Sequence, residues 1–296
     1  MFCYNWGMRR GLRWIPILVC LATTACSPSN SSSITTTNLI IDRGSDTLVN
    51  LALAWAEAYA GVDSAVSISV SGGGSGVGIT ALIQKTTDIA NASRSIKEDE
   101  IAEAEKNGVH PKQFIVARDA IAVIVNPRNP IDQLTLQQVS DIFSGKVDNW
   151  QAVGGEDRPI VRVSREVNSG THVYFLESVI RLGRKDDHTI FSPDTLLLPS
   201  SEGIMSEVSQ NPNAIGYDGL GYVTPAVKMI RLSTDPEGPY VAPSKETALD
   251  GTYPVSRDLY MYTDGEPAGL LKEYLEWILS PDGQIIVGQK GFVPLV

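Results

Sequence analysis

Alternating apolar and polar positions mark a series of short strands. Val66, Ile68 and Val70 alternate with Ser67 and Ser69, and the same reading gives strands at 39–42, 88–92, 160–164, 214–217, 227–232 and 259–262. Between them, apolar residues recur at helical spacing. Leu48, Leu51, Trp55, Ala58 and Tyr59 line a helix over about 48–60, and a second runs through Leu82 and Ile83. An acidic surface helix is expected at 96–107, and Thr135 caps one carrying Leu136, Val139, Ile142 and Phe143 that stops at Gly145. Val173, Phe175, Leu176, Val179 and Ile180 form the apolar face of another, with further helices at 203–211, 270–279 and 284–289. The apolar run 114–126, interrupted by Arg118 and Asp119, reads as two strands joined at a crossover between domains, because one parallel strand of that length is unusual.

Strand followed by helix, repeated along the chain, predicts an α/β fold with ligands at the carboxyl ends of the strands. The turns that fall there share a chemistry. Residues 72–76 are glycine-rich and end with Ser75 at the mouth of a helix, where free amides and close backbone approach suit an anion. Turns 44–47 and 93–95 also carry Ser or Thr, with Ser45 or Asp46 as the helix N-cap in the first. A fourth turn, 165–171, adds Arg165, whose planar fork suits a tetrahedral oxyanion; pairing with Glu166 or another carboxylate is its alternative role.

Composition narrows the setting. Arg9, Arg10 and Arg13 precede an apolar run from Trp14 to Ala22, giving residues 1–25 the form of an export signal, too short to span a bilayer as a mature helix. The segment around Cys26 resembles a bacterial lipoprotein cleavage site, with Thr23 where an aliphatic residue is usual; lipidated Cys26 would anchor the chain, and an ordinary cleaved signal is the other reading. Residues 26–37 then form the anchor and a Ser/Thr/Asn-rich tether. All three cysteines, Cys3, Cys20 and Cys26, lie in or at the end of the signal, so no disulfide or thiol ligand is expected in the folded part. Loss of three arginines and no acids with the signal takes the net charge from −10 to −13. Such a chain is not expected to bind nucleic acid or anionic membrane by bulk charge, so any anion must be held by local dipoles and a few placed cations.

The segments GSDT (44–47), SGGGSGVGI (71–79), ASR (92–94), LTLQQVSDIFSGKVDNW (134–150), SREVNSGT (164–171) and GFVPL (291–295) occur in one order that resembles the phosphate-binding component of bacterial phosphate ABC importers, over essentially the whole mature chain. The resemblance implies the two-lobed periplasmic-binding-protein fold (type II), each lobe a mixed, mostly parallel sheet flanked by helices, with inorganic phosphate in the cleft. Lobe I would comprise 38–118 plus 256–296, and lobe II 119–255. The ligand residues it implies are Thr47, Ser75, Arg165, Ser169, Gly170 and Thr171, with Ser45, Asp46, Gly74, Ser93 and Arg94 in the same turns. Some relatives place an aspartate after the serine of ASR to accept the phosphate proton; here that place is Arg94, which is expected to act as a second cation. An acceptor separates phosphate from sulfate, which has no proton to give at neutral pH. Asp46 is the candidate replacement, with Asp119 and Glu166 behind it. The implied protein is an exported monomer, anchored in the periplasm or at the cell surface, which closes on phosphate and delivers it to a membrane permease; no cofactor, no metal and no enzymatic activity are expected.

Competing readings share parts of this pattern. Gly73 to Thr80 approaches a phosphate-binding loop of nucleotide enzymes, but Ile79 stands where its lysine should be. Gly76 to Ala81 fits a permissive dinucleotide fingerprint with no acidic residue closing the next strand. A secreted hydrolase or phosphatase would need a nucleophile elbow that Val77 spoils, and His172 as base; the plainer expectation for His172 is an exposed residue of a first helical turn. Another oxyanion, such as sulfate, or a sensing role would keep the same fold.

Overall fold

The computed structural model describes residues 38–295; the export signal, Cys26 and the tether lie outside the described residues. The chain opens as β1 (Asn38–Gly44), α1 (Asp46–Tyr59), β2 (Val66–Ser71), α2 (Ser75–Ile83), β3 (Ile89–Ala92) and α3 (Glu98–Lys106). A 15-residue strand, β4 (Pro111–Val125), follows, then β5 (Gln133–Thr135), α4 (Leu136–Phe143), β6 (Val161–Arg165) and α5 (Gly170–Phe175). The remainder is β7 (Leu196–Leu198), α6 (Ser201–Gln210), β8 (Ala214–Gly219), β9 (Lys228–Met229), β10 (Arg231–Ser233), α7 (Lys245–Leu249), β11 (Ser256–Asp264), α8 (Gly269–Leu279) and α9 (Pro281–Gln289).

Nine strands make one sheet in the order β2-β1-β3-β11-β4-β8-β6-β7, with β9 paired to β4. Pairs β1–β2, β1–β3, β6–β7 and β6–β8 are parallel, a pairing that needs the crossover connections lying between these strands. The middle differs. β4 is a single strand, not two, and it is antiparallel to both of its main neighbours: residues 111–120 face β11 and 121–125 face β8. An antiparallel strand can run on past one partner to the next, so β4 is not bound by the usual length of a parallel strand. The segment 227–232 likewise departs from expectation, because β9 pairs with β4 while β10 pairs with β5 in a separate two-stranded ribbon.

The apolar faces divide at the same place. Ile40, Leu48, Trp55, Val116, Leu259, Tyr274 and Val287 pack together on one side of the partner exchange, and Ile121, Val123, Phe143, Trp150, Phe175, Tyr217 and Ile230 on the other. Trp55 is wholly buried and its indole donates to the Gly283 carbonyl at 2.8 Å, tying α1 to α9. Thr135 caps α4 through a reciprocal bond with Gln138, as its sequence predicts.

One buried acid sits beneath the first turns. Asp42 of β1 is fully buried, accepts from the Asn91 amide, and leaves its Oδ2 unpartnered, as are Asn91 Oδ1 and the Tyr274 hydroxyl. Burial pushes its carboxyl up to about 7, partly offset by Asn91. An acid whose folded pKa lies above its unfolded value binds more protons when folded, so its contribution is fully present below about pH 4 and is lost as pH rises toward about 7. Asp42→Asn removes the charge and can pair with the Asn91 amide. It is expected to stabilise the fold by on the order of 2 kcal/mol at mildly alkaline pH and by little at acid pH. Urea unfolding at both pH values checks this; a variant less stable than wild type under alkaline conditions would contradict it.

Candidate anion-binding site

Four turns from the two sides of the sheet meet. The first places Thr47 in the opening turn of α1, where amides have no intrahelical acceptor; Ser45 occupies the N-cap position but makes no side-chain cap bond, and its amide donates to the Asn91 carbonyl at 2.9 Å. The second turn is held by Gly74, whose φ of +94° favours glycine and whose absent Cβ would lie 2.8 Å from the Asn168 carbonyl. It delivers Ser75, fully buried, to the start of α2, and Ser75 Oγ accepts from the Ser93 amide of the third turn at 3.0 Å.

From the opposite side comes Ser169-Gly170-Thr171 at the start of α5. Ser169 caps that helix by accepting from the Thr171 amide. Phe175, stacked on Tyr217 with ring centroids 3.6 Å apart, fastens α5 to β8. The hydroxyls of Thr47 and Thr171 lie 2.9 Å apart, and a Cβ on Gly170 would overlap those of Ser75 and Ser93. Asn168 completes the contact, its carbonyl accepting from the Gly76 amide at 3.1 Å and its side chain donating to the Gly73 carbonyl at 2.8 Å.

Two guanidinium groups stand among these hydroxyls. Arg165, 1% exposed, donates to Asp46 Oδ2 at 2.6 Å, Ser201 Oγ at 2.9 Å and the Pro199 carbonyl at 2.8 Å; its Nε is unpartnered. Its carboxylate partner is thus Asp46 from across the interface and not the adjacent Glu166. Arg257 of β11 donates through Nη2 to Asp119 at 3.0 Å and to Thr171 Oγ1 at 2.9 Å, and through Nη1 to the Ser93 carbonyl at 2.8 Å. Burial pushes the Asp119 carboxyl up to about 6, with Arg257 pulling the other way. Asp218, 3.9 Å from Arg165, is also raised by burial and lowered in turn by that arginine.

The structure therefore brings together Asp46, Thr47, Gly74, Ser75, Ser93, Arg165, Ser169, Gly170 and Thr171, with Ser45 behind the first turn. Arg94 is not among them: its guanidinium makes a two-pronged pair with Glu100 at 2.6 and 2.8 Å, and none of its hydrogen bonds reaches the hydroxyl cluster. His172 is not the exposed residue the sequence led one to expect. It is buried, stacked on Phe191, with Nδ1 2.9 Å from the Arg165 carbonyl, and burial lowers its pKa.

Arg257, Asp218 and Ser201 were missed. Arg257 had a signal, because it shares strand parity with the buried Leu259 and Met261, and an arginine in that register needs a buried partner. Among the described residues no three His, Cys, Asp or Glu side chains are grouped as a metal would require.

The PBP superfamily domain matches residues 31–282. The phosphate-binding protein PstS of Pseudomonas aeruginosa is 36% identical over 269 residues, covering 85% of this chain and 81% of that protein. PstS of Bacillus subtilis is 32% identical over 85% of this chain and 79% of its own length. A phosphate-bound ABC transporter substrate-binding protein from Clostridium perfringens superposes with a TM-score of 0.78 at 32% identity, covering 88% of this chain and all of that one. An ABC-type phosphate transport receptor from Vibrio cholerae gives 0.69 at 28% identity, covering 86% and 99%. With these matches and an α/β sheet whose strand ends meet from two sides, the chain belongs to the PBP superfamily, with the two-lobed fold of its periplasmic binding proteins, and within it to the family of the phosphate-binding protein PstS.

Proposed function

We propose that this protein captures inorganic phosphate outside the cytoplasm and delivers it to the permease of an ABC importer. The observation that carries this is the convergence of hydroxyl-bearing turns from both sides of the sheet on two buried arginines, Arg165 and Arg257. Hydroxyls, amides and guanidinium forks match the oxygens of a tetrahedral anion. Charge-assisted hydrogen bonds contribute roughly 1.5–3 kcal/mol each, and a micromolar dissociation constant needs only about 8 kcal/mol. The family is one of solute-binding proteins, and the ligand is bound and released unchanged.

In this reading the lobes are 38–118 with 256–296, and 119–255. Hinge closure is carried by β4, where pairing passes from β11 at Ala120 to β8 at Ile121, and by the return into β11. The ligand residues are Thr47, Ser75, Ser93, Arg165, Ser169, Gly170 and Thr171. Anchoring through lipidated Cys26 and a monomeric state belong to the same proposal.

Calorimetric titration of the mature domain, freed of endogenous ligand, with phosphate and separately with sulfate at neutral pH tests it. Tight one-to-one phosphate binding without sulfate heat is expected. Preference for sulfate, or no response to either anion, would overturn the phosphate assignment.

A further inference from the structure

We propose that the cavity lined by Arg94 and Arg257 is a second ligand site, one that takes a small organic anion: a single carboxylate on an apolar, aromatic-sized body. Its occupant is distinct from phosphate, and the site stands whether or not phosphate is the ligand of the hydroxyl cluster. The cavity measures about 390 Å³, and its walls come from residues 94–97, from α5 with the turn after it, and from β11. That volume lies within the range of small-molecule pockets and is far more room than four oxygens need.

Two of the lining side chains are deeply buried cations, Arg94 at 8% exposure and Arg257 at 7%. A carboxylate outside the lining holds each of them in place. Glu100 takes both terminal nitrogens of Arg94, at 2.6 and 2.8 Å, and Asp119 takes Nη2 of Arg257 at 3.0 Å. In both guanidinium groups the Nε–H is left without an acceptor, although buried donors are ordinarily paired. Lys97 adds a third cation to the lining, and the lysine ion pairs among the described residues do not include it.

Two carboxylates share the lining with these three cations, Glu177 and Asp258, and Asp258 is engaged by Arg118 at 3.1 Å. In a chain of formal charge −10, a lining with more cations than acids favours an anion locally. Glu177 would repel a second negative charge, so one carboxylate suits the cavity better than a doubly charged phosphate ester. The rest of the wall fits a body behind that head: Tyr174, Tyr260 and Ile96 are apolar surface. Tyr174 is fixed, since its hydroxyl donates to the Ser256 carbonyl at 2.6 Å and the Arg257 guanidinium lies 5.4 Å from its ring centroid. Arg94 thereby gains a role of its own, in the wall next to the cluster to which its sequence position had assigned it.

The probe is benzoate, titrated by calorimetry into wild type with phosphate saturating, so that the hydroxyl cluster is filled. One-to-one binding with a dissociation constant of about 1 mM or tighter is expected. Acetate, which has the head without the body, should bind at least about tenfold more weakly. Arg94→Gln should weaken benzoate about tenfold or more, and Lys97→Gln about threefold. Glu177→Gln should strengthen it about twofold to threefold. Phosphate affinity should stay within about threefold of wild type in all three variants. Absence of benzoate binding, wild-type affinity in Arg94→Gln, or loss of benzoate when phosphate is added would overturn the assignment, the last by placing benzoate in the hydroxyl cluster. Should Arg94→Gln not fold, Lys97 and Glu177, both exposed, decide: shifts in the same direction would sink the inference. A wild type that bound no phosphate would refute the phosphate reading alone, and the same benzoate titration without phosphate would still settle the second site.

Discussion

Arg165→Gln is expected to raise the phosphate dissociation constant by about three orders of magnitude, some 4 kcal/mol. The side chain is a planar fork 1% exposed, and an uncharged amide replaces at least two charge-assisted bonds with weaker ones. A second loss compounds the first. Asp46 and the buried Asp218 would lose the cation between them, leaving negative charge where an anion must enter. The ligand-free fold is expected to lose about 3 kcal/mol for the same reason, which urea unfolding without phosphate would register. Arg94→Gln is the informative comparison, because Arg94 spends its guanidinium on Glu100. Calorimetry should find its affinity within about threefold of wild type. Equal losses in the two variants would mean that Arg94 turns into the site when ligand is bound.

Gly170→Ala is expected to weaken phosphate binding at least about 100-fold while leaving the ligand-free domain as stable as before. Position 170 is the first residue of α5, and its backbone lies outside the left-handed region that would favour glycine. The new methyl group would overlap the Ser75 and Ser93 hydroxyls, which come from the other side of the interface. Turning the Ser75 hydroxyl aside would break the bond it accepts from the Ser93 amide, and Ser75 Cβ itself lies 3.0 Å from the new methyl, so the obstruction acts where the two sides meet and not on folding of either. Small-angle scattering separates the two effects: wild type should compact on adding phosphate and the variant should not. Wild-type affinity with normal compaction would show that the turns meet less closely in the bound form.

Much of this architecture was legible because it depends on local pattern. Alternation at 66–70 and the helical spacing of Leu48, Leu51, Trp55 and Tyr59 are properties of short segments, and the structure reproduces both elements. The serine and threonine turns were visible for a similar reason: a single hydroxyl at a strand-to-helix junction is ordinarily an N-cap, but four such turns along one chain pointed to a common ligand. Lys97 and Glu100 show the limit of such reading. They lie in an ordinary acidic helix start, yet Glu100 takes the guanidinium that sequence position assigned to the ligand.

Strand partners were not legible in the same way. The 15 residues of β4 carry no mark of where one neighbour gives way to another, and their direction relative to β11 and β8 is set by residues 90 or more positions away. His172 was misjudged because burial of a first-turn residue depends on what lies across from it, here Phe191 and the end of β6. By itself, then, the sequence determined the strand-to-helix rhythm, the hydroxyl turns, and the acidic charge that leaves any anion to placed cations, for which it offered Arg165 as a candidate. Only the tertiary structure decided that Arg257 reaches both Thr171 and Asp119, that Asp46 faces Arg165, and that Arg94 pairs with Glu100. The physical reason is that side-chain type and spacing are local, whereas the partner of a buried charge is chosen by which strands the whole sheet brings side by side.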